Sequence, residues 1–343
     1  MEEFLSNINR VNMSGQDSFS YYDEGGITRY SLTRLDALPD ACSAARGATN
    51  RSDPELNFDA FWNSFDENYA FFDDRGVDWD AVYEEYRPKV DAGTLSEELY
   101  ELITEVIRLL DDRHVSLQAD NFPRRYSGHP GTLATLLQRE LPSGEEATRE
   151  KYEAAAKEII ARDYLKDSRQ QAIDNQFTWG WAAKDIGYLS IDSMADYVDE
   201  DTASLRDSHR LVDDTMDRII RELKGAKGII VDARWNGGGY DSNALHIAGH
   251  LTDQQLLAFT KRARNGETLN PEQDIFIPWY ARESFAGPIV YLCGRDTLSA
   301  AEIFSMAMMA IPNVTSLGEP TVGALSDTHS VQLPNGWRLT LSN

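Results

Sequence analysis

Ser299 stands where a short apolar run, Ile289 to Leu292, gives way through Cys-Gly-Arg-Asp-Thr-Leu to the small and apolar residues Ala300 to Met309. A run of β-formers followed by helix formers predicts a buried strand, a turn and a helix, with a hydroxyl at the junction. A hydroxyl so placed can project beside the first N–H groups of the helix, which favour developing negative charge, as an acyl-transfer nucleophile requires. The plainer reading makes Ser299 a helix cap, with Glu302 three residues later closing a capping box. A serine nucleophile needs a base. His114, in Asp-Asp-Arg-His-Val-Ser-Leu, stands alone between an expected helix and a short strand. Its imidazole could take and return a proton near neutrality, though an isolated loop histidine is also an ordinary surface residue. The turn Trp235-Asn-Gly-Gly-Gly239 follows a second apolar run, Gly228 to Arg234. Consecutive glycines allow close backbone approach and leave N–H groups for an anion, or they simply make a tight turn. The spacing is not G-x-G-x-x-G, and no Gly-Lys-Ser/Thr follows, so neither a dinucleotide nor a phosphate-loop site is expected.

The elements that must position these residues fall into two textures. From Asn57, aromatic residues Phe58, Phe61, Trp62, Phe65, Tyr69 and Phe72 recur at spacings of three and four, which predicts a helix with an inward aromatic face. A second helix is expected over Asp80 to Arg87. A third starts at a Ser96 cap, with Glu97 and Glu98 in its first turn and Leu99, Leu102, Ile103, Val106 and Leu110 inward. From Asp185 strands and helices alternate, the pattern of an α/β unit with a largely parallel sheet. Gly187 to Ile191 reads as a strand, Leu205 to Leu223 as a long helix, Gly228 to Arg234 as a strand and Ser242 to Leu251 as a helix. Thr252 to Phe285 reads as a polar excursion. A strand at Val314 to Leu317 and a hairpin, Ser330 to Leu333 with Trp337 to Leu341, follow. The expected organisation is therefore a small, possibly β, appendage over 1–55, a helical cap over 56–120, an inserted helical segment over 121–180 and an α/β unit over 181–343. Within the insert a Ser143–Glu146 capping box opens a helix running through Ala154 to Ile160.

Composition bounds the function. With 57 Asp and Glu against 33 Lys and Arg, the net charge of −24 argues against a nucleic-acid partner, which needs clustered cations. No apolar run approaches the ~20 residues of a membrane span. Six histidines without an H-E-x-x-H pair and two cysteines, Cys42 and Cys293, without C-x-x-C spacing point to no metal site, and no cofactor is implied. Whether Cys42 and Cys293 pair is not decided by spacing. Met1 is followed by Glu2 and Glu3 rather than a basic region, so no signal peptide is visible. A chain whose leader had been cleaved would read the same, which leaves the compartment open to a periplasmic or secreted place. Oligomeric state is likewise open.

Four separated stretches together resemble the tail-specific, or C-terminal processing, serine peptidases and their tricorn-core relatives. Asp80 to Leu117, ending Leu-Asp-Asp-Arg-His-Val-Ser-Leu, is similar to that family's helical segment and its Gly-Asp-Gly-His-like ending. Ile229 to Gly239 is similar to its Asp-Leu-Arg-x-Asn-x-Gly-Gly signature, Thr297 to Glu302 to its nucleophile motif, and Gly318 to Gly323 to its Gly-x-x-Thr-x-Gly turn. The resemblance implies a crotonase-like α/β core, Ser299 as nucleophile, and the N–H groups of Ala300 and of the Gly238–Gly239 turn as oxyanion donors. It departs from the processing branch in two ways. Ala324 stands where that branch has its lysine base, so no Ser–Lys dyad is available, and no PDZ-type module is evident. The tricorn-like branch uses a histidine that falls on His114. Its orienting glutamate would fall beyond Asn343, so the α/β unit reads as ending in a strand short of its closing segment. Glu302 is expected to be structural, and Asp112 a solvated loop charge.

The expectation is an α/β serine hydrolase in which His114 deprotonates Ser299 and an acyl-enzyme is released by water. The substrate implied by the family is a peptide, bound by strand addition beside the nucleophile. Two rivals share the scaffold: a carboxylesterase on small acyl esters, and a non-catalytic binding protein.

Overall fold

The computed structural model of the chain describes residues 8–13, 17–23, 25–37, 51–119, 125–127, 149–199, 203–279 and 283–343. Three short strands open it as an antiparallel sheet: β1 (Ile8–Met13), β2 (Ser18–Asp23) and β3 (Arg29–Thr33).

The aromatic spacing after Asn57 does build a helix, α1 (Pro54–Asn68). Pro54 occupies a first-turn position where no N–H is needed, and the Asp53 carboxylate caps Glu55 N–H at 2.9 Å. Phe58, Phe61 and Phe65 are fully buried. The helix stops at Asn68, because Tyr69 turns extended, and a short α2 (Phe72–Arg75) carries the stripe on. Then come α3 (Trp79–Tyr86) and α4 (Ser96–Leu110). Ser96 is inside α4 rather than its cap: the Glu98 carboxylate reaches back to Leu95 N–H at 2.9 Å, so the cap falls on Leu95. Leu99, Ile103, Val106, Ile107 and Leu110 face inward onto α1.

These helices do not close their core alone. β4 (Ser116–Gln118) and β5 (Arg125–Ser127) join a four-stranded sheet with the distant hairpin β16 (Thr328–Gln332) and β17 (Arg338–Ser342), in the order β16-β17-β4-β5. Leu333, Trp337, Leu339 and Leu341 pack with the helical aromatics, and the buried Asn57 accepts from Asn335 N–H at 2.9 Å.

The second core belongs to a six-stranded sheet, order β15-β14-β9-β8-β7-β6. β8 (Ile186–Ile191), β9 (Gly228–Asp232), β14 (Ile289–Cys293) and β15 (Val314–Gly318) run parallel. Three connecting helices, α6 (Leu205–Glu222), α7 (Asp241–Gly249) and α8 (Ala300–Ala310), pack on the sheet through Val212, Met216, Ala244, Ile247 and Phe304. The strand at β9 ends at Asp232, two residues short of the expected Arg234, because Asp232 and Arg234 close on each other. Two regions differ from expectation. β6 (Gln170–Ala172) and the start of β7 (Phe177–Ala183) lie in the segment expected to be a helical insert, yet they extend the sheet, β7 antiparallel to β8 and β6 antiparallel to β7, with Phe177 and Trp179 alternating inward. The polar excursion holds a hairpin of β10 (Leu256–Lys261) and β13 (Gln273–Ile277), tipped by β11 (Arg264–Asn265) and β12 (Thr268–Leu269), with Ile275 and Ile277 buried.

Helix α5 (Arg149–Ile159) and a following π-helical turn, Ile160–Leu165, occupy the insert, while the Ser143–Glu146 box lies outside the described residues. Cys42 lies outside them too, and the Cys293 thiol sits 3.6 Å from the Glu319 carbonyl. Among the described residues no helix is long and apolar enough to cross a membrane.

Candidate functional site

The carboxyl ends of β8, β9 and β14 converge, where loops of parallel sheets gather ligands. At β14 the chain leaves Cys293 through a turn fixed by the buried Thr297, whose hydroxyl accepts from Gly294 N–H at 2.9 Å and donates to the Ala233 carbonyl at 2.9 Å. Leu298 N–H then donates to the Asn236 carbonyl, tying this loop to the glycine turn. Ser299 is held at φ 58°, ψ −124°, a conformation that costs about 1–3 kcal/mol in a residue with a side chain. The expected Ser299–Glu302 capping box is present at this elbow, with Glu302 three residues on accepting Ser299 N–H.

Glu302 is what holds that conformation. Its buried carboxylate accepts from Ser299 N–H at 3.0 Å, Gly323 N–H at 2.8 Å and Ala324 N–H at 3.0 Å. Three charge-assisted bonds give the carboxylate a positional role and bind the serine elbow to the Gly318–Gly323 turn. Ala324, where a lysine base would stand, is buried.

The glycine turn is fixed by Asn236, fully buried at the junction of three loops. Its side-chain amide donates to the Ile191 carbonyl at 3.0 Å and its Oδ1 accepts from Gly238 N–H at 2.9 Å. This engages the Gly238 N–H, so of the three expected anion donors Gly238 is committed elsewhere. Among the described residues neither Gly239 N–H nor Ala300 N–H has a hydrogen-bond acceptor. Gly238 and Gly239 have φ of 96° and 141°, and Met194 clamps the turn by donating to the Gly238 carbonyl at 2.8 Å and accepting from Tyr240 N–H at 3.0 Å. One strand-end earlier, the buried Asp232 receives a two-pronged bond from Arg234, at 2.9 and 2.7 Å, and one from the Tyr188 hydroxyl at 2.8 Å. That is the structural content of the Asp-Ala-Arg stretch.

His114 arrives from the other core. α4 ends at Asp111 in the left-handed region, φ 45°, and Asp112 accepts His114 N–H at 2.9 Å and the Tyr69 hydroxyl at 3.0 Å. Asp112 is 1 % exposed, so the expected solvated charge is a buried anchor: Tyr69, just past the end of α1, brings its hydroxyl to meet it. Burial holds the His114 imidazole below its ordinary value, against the upward pull of Asp112, Glu302, the Ser326 carbonyl and Asp327. Its Nδ1 is buried without a hydrogen-bond partner among the described residues.

Ser299 and His114 line one cavity of about 200 Å³ with Gly239, Tyr240, Asp241 and Asp327. The turn between β2 and β3 forms its far wall. Gly25 lies on the Tyr240 ring, where a Cβ would meet Cδ1 at 2.0 Å, and its carbonyl accepts from Ser242 N–H at 3.1 Å. Thr28 in that turn bonds Asp327 and Lys261, and Lys261 Nζ reaches both Asp327 oxygens at 2.9 Å. Asp241 is raised to about 7, first by burial and then by the Asp327 carboxylate, with Lys261 opposing. The sequence reading missed Asp241, Asp327 and the N-terminal wall. Asp241 follows the glycine turn closely enough to have been suspected, whereas residues 25–30 read only as part of the small β appendage over 1–55 and reach the site through tertiary packing.

Residues 185–343 match the family model for peptidase family S41, and residues 51–108 match that of the Tricorn protease C1 domain. The carboxy-terminal processing protease CtpA of Bacillus subtilis (strain 168) is 33% identical over 104 residues, 30% of this chain and 21% of that protein, so the match spans about a fifth of that relative's length. Among solved structures, a candidate peptidase from Parabacteroides merdae ATCC 43184 superposes with a TM-score of 0.64 at 24% identity, covering 85% of this chain and 83% of its own. Mature CPAF complexed with lactacystin gives 0.56 at 12% identity, over 85% of this chain and 89% of that one. At these identities the superpositions show a shared mixed α/β fold.

Proposed function

With residues 185–343 in peptidase family S41 and residues 51–108 in the Tricorn C1 domain, the chain belongs to the tail-specific peptidases and their tricorn relatives, and we propose that it is a serine peptidase with a Ser299–His114 centre. The observation that carries the reading is the cavity that the strained Ser299 shares with His114. Neutral His114 takes the hydroxyl proton of Ser299 as Oγ attacks a peptide carbonyl. The N–H groups of Gly239 and Ala300 stabilise the oxyanion, and Gly238 serves by fixing the turn rather than by donating. The protonated imidazole returns its proton to the leaving amine; water, deprotonated by the same ring, then attacks the acyl carbonyl, and the Oγ–acyl bond breaks as the ring hands that proton to Ser299 Oγ, freeing the acid. Lys261 is not taken as the base, because its Nζ is engaged by Thr28 and both Asp327 oxygens and it does not line the cavity of Ser299. The fold that accompanies this reading is a crotonase-like core bearing a helical cap, with the β16–β17 hairpin reaching back into the cap. The kinship with processing proteases supports peptide substrates.

The test is intact-mass labelling with a fluorophosphonate probe. The wild-type chain gains one adduct, Ser299→Ala gains none, and His114→Ala labels at least a hundredfold more slowly. Adduct formation on Ser299→Ala would move the nucleophile elsewhere. Matched peptide and ester substrates then separate peptidase from esterase, since hydrolysis of esters alone would sink the peptide assignment.

A further inference from the structure

Helix α5 buries none of its side chains completely, yet it is bound at both ends to the loops that surround Ser299. Arg149, its first residue, spreads its guanidinium over two of them: Nε donates to Asp296 Oδ2 at 2.6 Å and Nη2 to the Trp235 carbonyl at 3.0 Å. Asp296 lies three residues before Ser299, and Trp235 three residues before Gly238. Nη1 also meets Glu153 at 3.1 Å, and the Tyr152 ring stands edge-on to Trp235 at 5.6 Å. Glu153 passes the chain of charge to Lys157 at 2.6 Å, and Lys157 reaches Asp192 at 2.8 Å. Asp192 follows β8 directly, two residues before Met194, the residue that clamps Gly238 and Tyr240. One helix therefore touches the ends of β8, β9 and β14, the three segments that must hold their spacing for an oxyanion to form.

We propose that Arg149 is a positioning residue for the Ser299 centre, α5 acting as a splint that fixes the nucleophile loop against the glycine turn. The proposal rests on the serine hydrolase reading for its kinetic consequence and on geometry alone for its structural one. A planar fork suits the task, because it bonds an acid and a carbonyl in different loops at a fixed angle, which an ammonium cannot do. Misplacement of reacting groups by about 1 Å can cost on the order of a hundredfold in rate, and nothing in the hydrophobic core depends on α5.

The experiment compares wild type, Arg149→Ala, Arg149→Lys and Asp296→Asn by the rate of fluorophosphonate labelling, by kcat and KM separately, and by amide hydrogen exchange. The expected result is a ten- to hundredfold loss in kcat and labelling rate for Arg149→Ala with KM and Tm little changed. Arg149→Lys recovers only part of it, and the Arg149→Ala/Asp296→Asn pair is no worse than the poorer single variant. Exchange rises together at 235–239 and 296–299 and stays unchanged in β9. An unaltered kcat in Arg149→Ala, where wild type labels at Ser299, overturns the splint and leaves the hydrolase standing. A wild type that does not label sinks the hydrolase, and exchange then decides the splint by itself: no rise in those two segments refutes it.

Discussion

A Cβ placed on Gly238 would lie 2.7 Å from the Cβ of Ser299, and 2.6 Å from the Leu298 carbonyl oxygen just before it. The glycine turn and the serine elbow are thus in backbone contact, and no side chain fits between them. Gly238→Ala also forces a side chain onto φ 96°, so the clash and the strained backbone act together. The expected outcome is a folded protein with Tm lowered by several degrees and fluorophosphonate labelling reduced at least a hundredfold. Labelling at the wild-type rate would mean the turn is not part of the centre.

Ser299 holds a backbone conformation that glycine adopts without cost. Ser299→Gly should therefore raise stability, by about 1–3 kcal/mol less the small gain in unfolded-state entropy, while Ser299→Ala leaves stability near wild type. Both abolish labelling. Urea midpoints of the three proteins check this, and a Ser299→Gly chain weaker than Ser299→Ala would show that the elbow is unstrained.

Asp112 anchors the His114 loop to the aromatic helices through the Tyr69 hydroxyl. Tyr69→Phe leaves a buried carboxylate short of one donor and should cost about 1–3 kcal/mol, with kcat falling as the loop loosens. Asp112→Asn should cost a comparable amount and lower activity further. If Tyr69→Phe leaves both Tm and kcat unchanged, the anchor carries no weight.

Two groups in the cavity set opposite pH behaviour. In the proposed mechanism His114 acts in its neutral form, and burial holds it below its ordinary 6.5. Activity should accordingly fall only as pH drops below that value, with kcat/KM flat above it. Asp241 is raised to about 7, so the folded chain keeps a proton that the unfolded chain releases near 3.8. Its contribution to stability is therefore lost as pH rises between those values, to a total on the order of a few kcal/mol. Asp241→Asn should raise Tm at pH 8 and much less at pH 4.5. An equal gain at both would place the Asp241 carboxyl in ordinary solvent.

Those contrasts show what a linear reading can hold. Ser299, the glycine turn and the α/β alternation were legible because each is local: apolar run, turn residues and helix formers follow one another within a few positions. Asp112 was misread because its partner, Tyr69, lies far away in the sequence, just past the aromatic helix, and an acid in an Asp-Asp-Arg loop looks solvated until a hydroxyl meets it. Strands β6 and β7 escaped because Phe177 and Trp179 are flanked by polar and small residues that mute the alternation. The far wall of the cavity was invisible, since Gly25 and Thr28 come to Tyr240 and Asp327 from the other end of the chain. Among the expected anion donors, too, nothing local separates Gly238 from Gly239: it is the bond from Gly238 N–H to Asn236 that commits the one and leaves the other.

The pairing of Ser116 in β4 with Thr340 in β17 also sets an order of events. On the ribosome His114 is made first, Ser299 long afterwards, and the strand that seats the histidine's own segment last of the three. Contacts between such remote positions form slowly, so His114 reaches its place only once nearly the whole described chain has emerged. Under the proposed mechanism, the Ser299–His114 pair is therefore complete only late in synthesis.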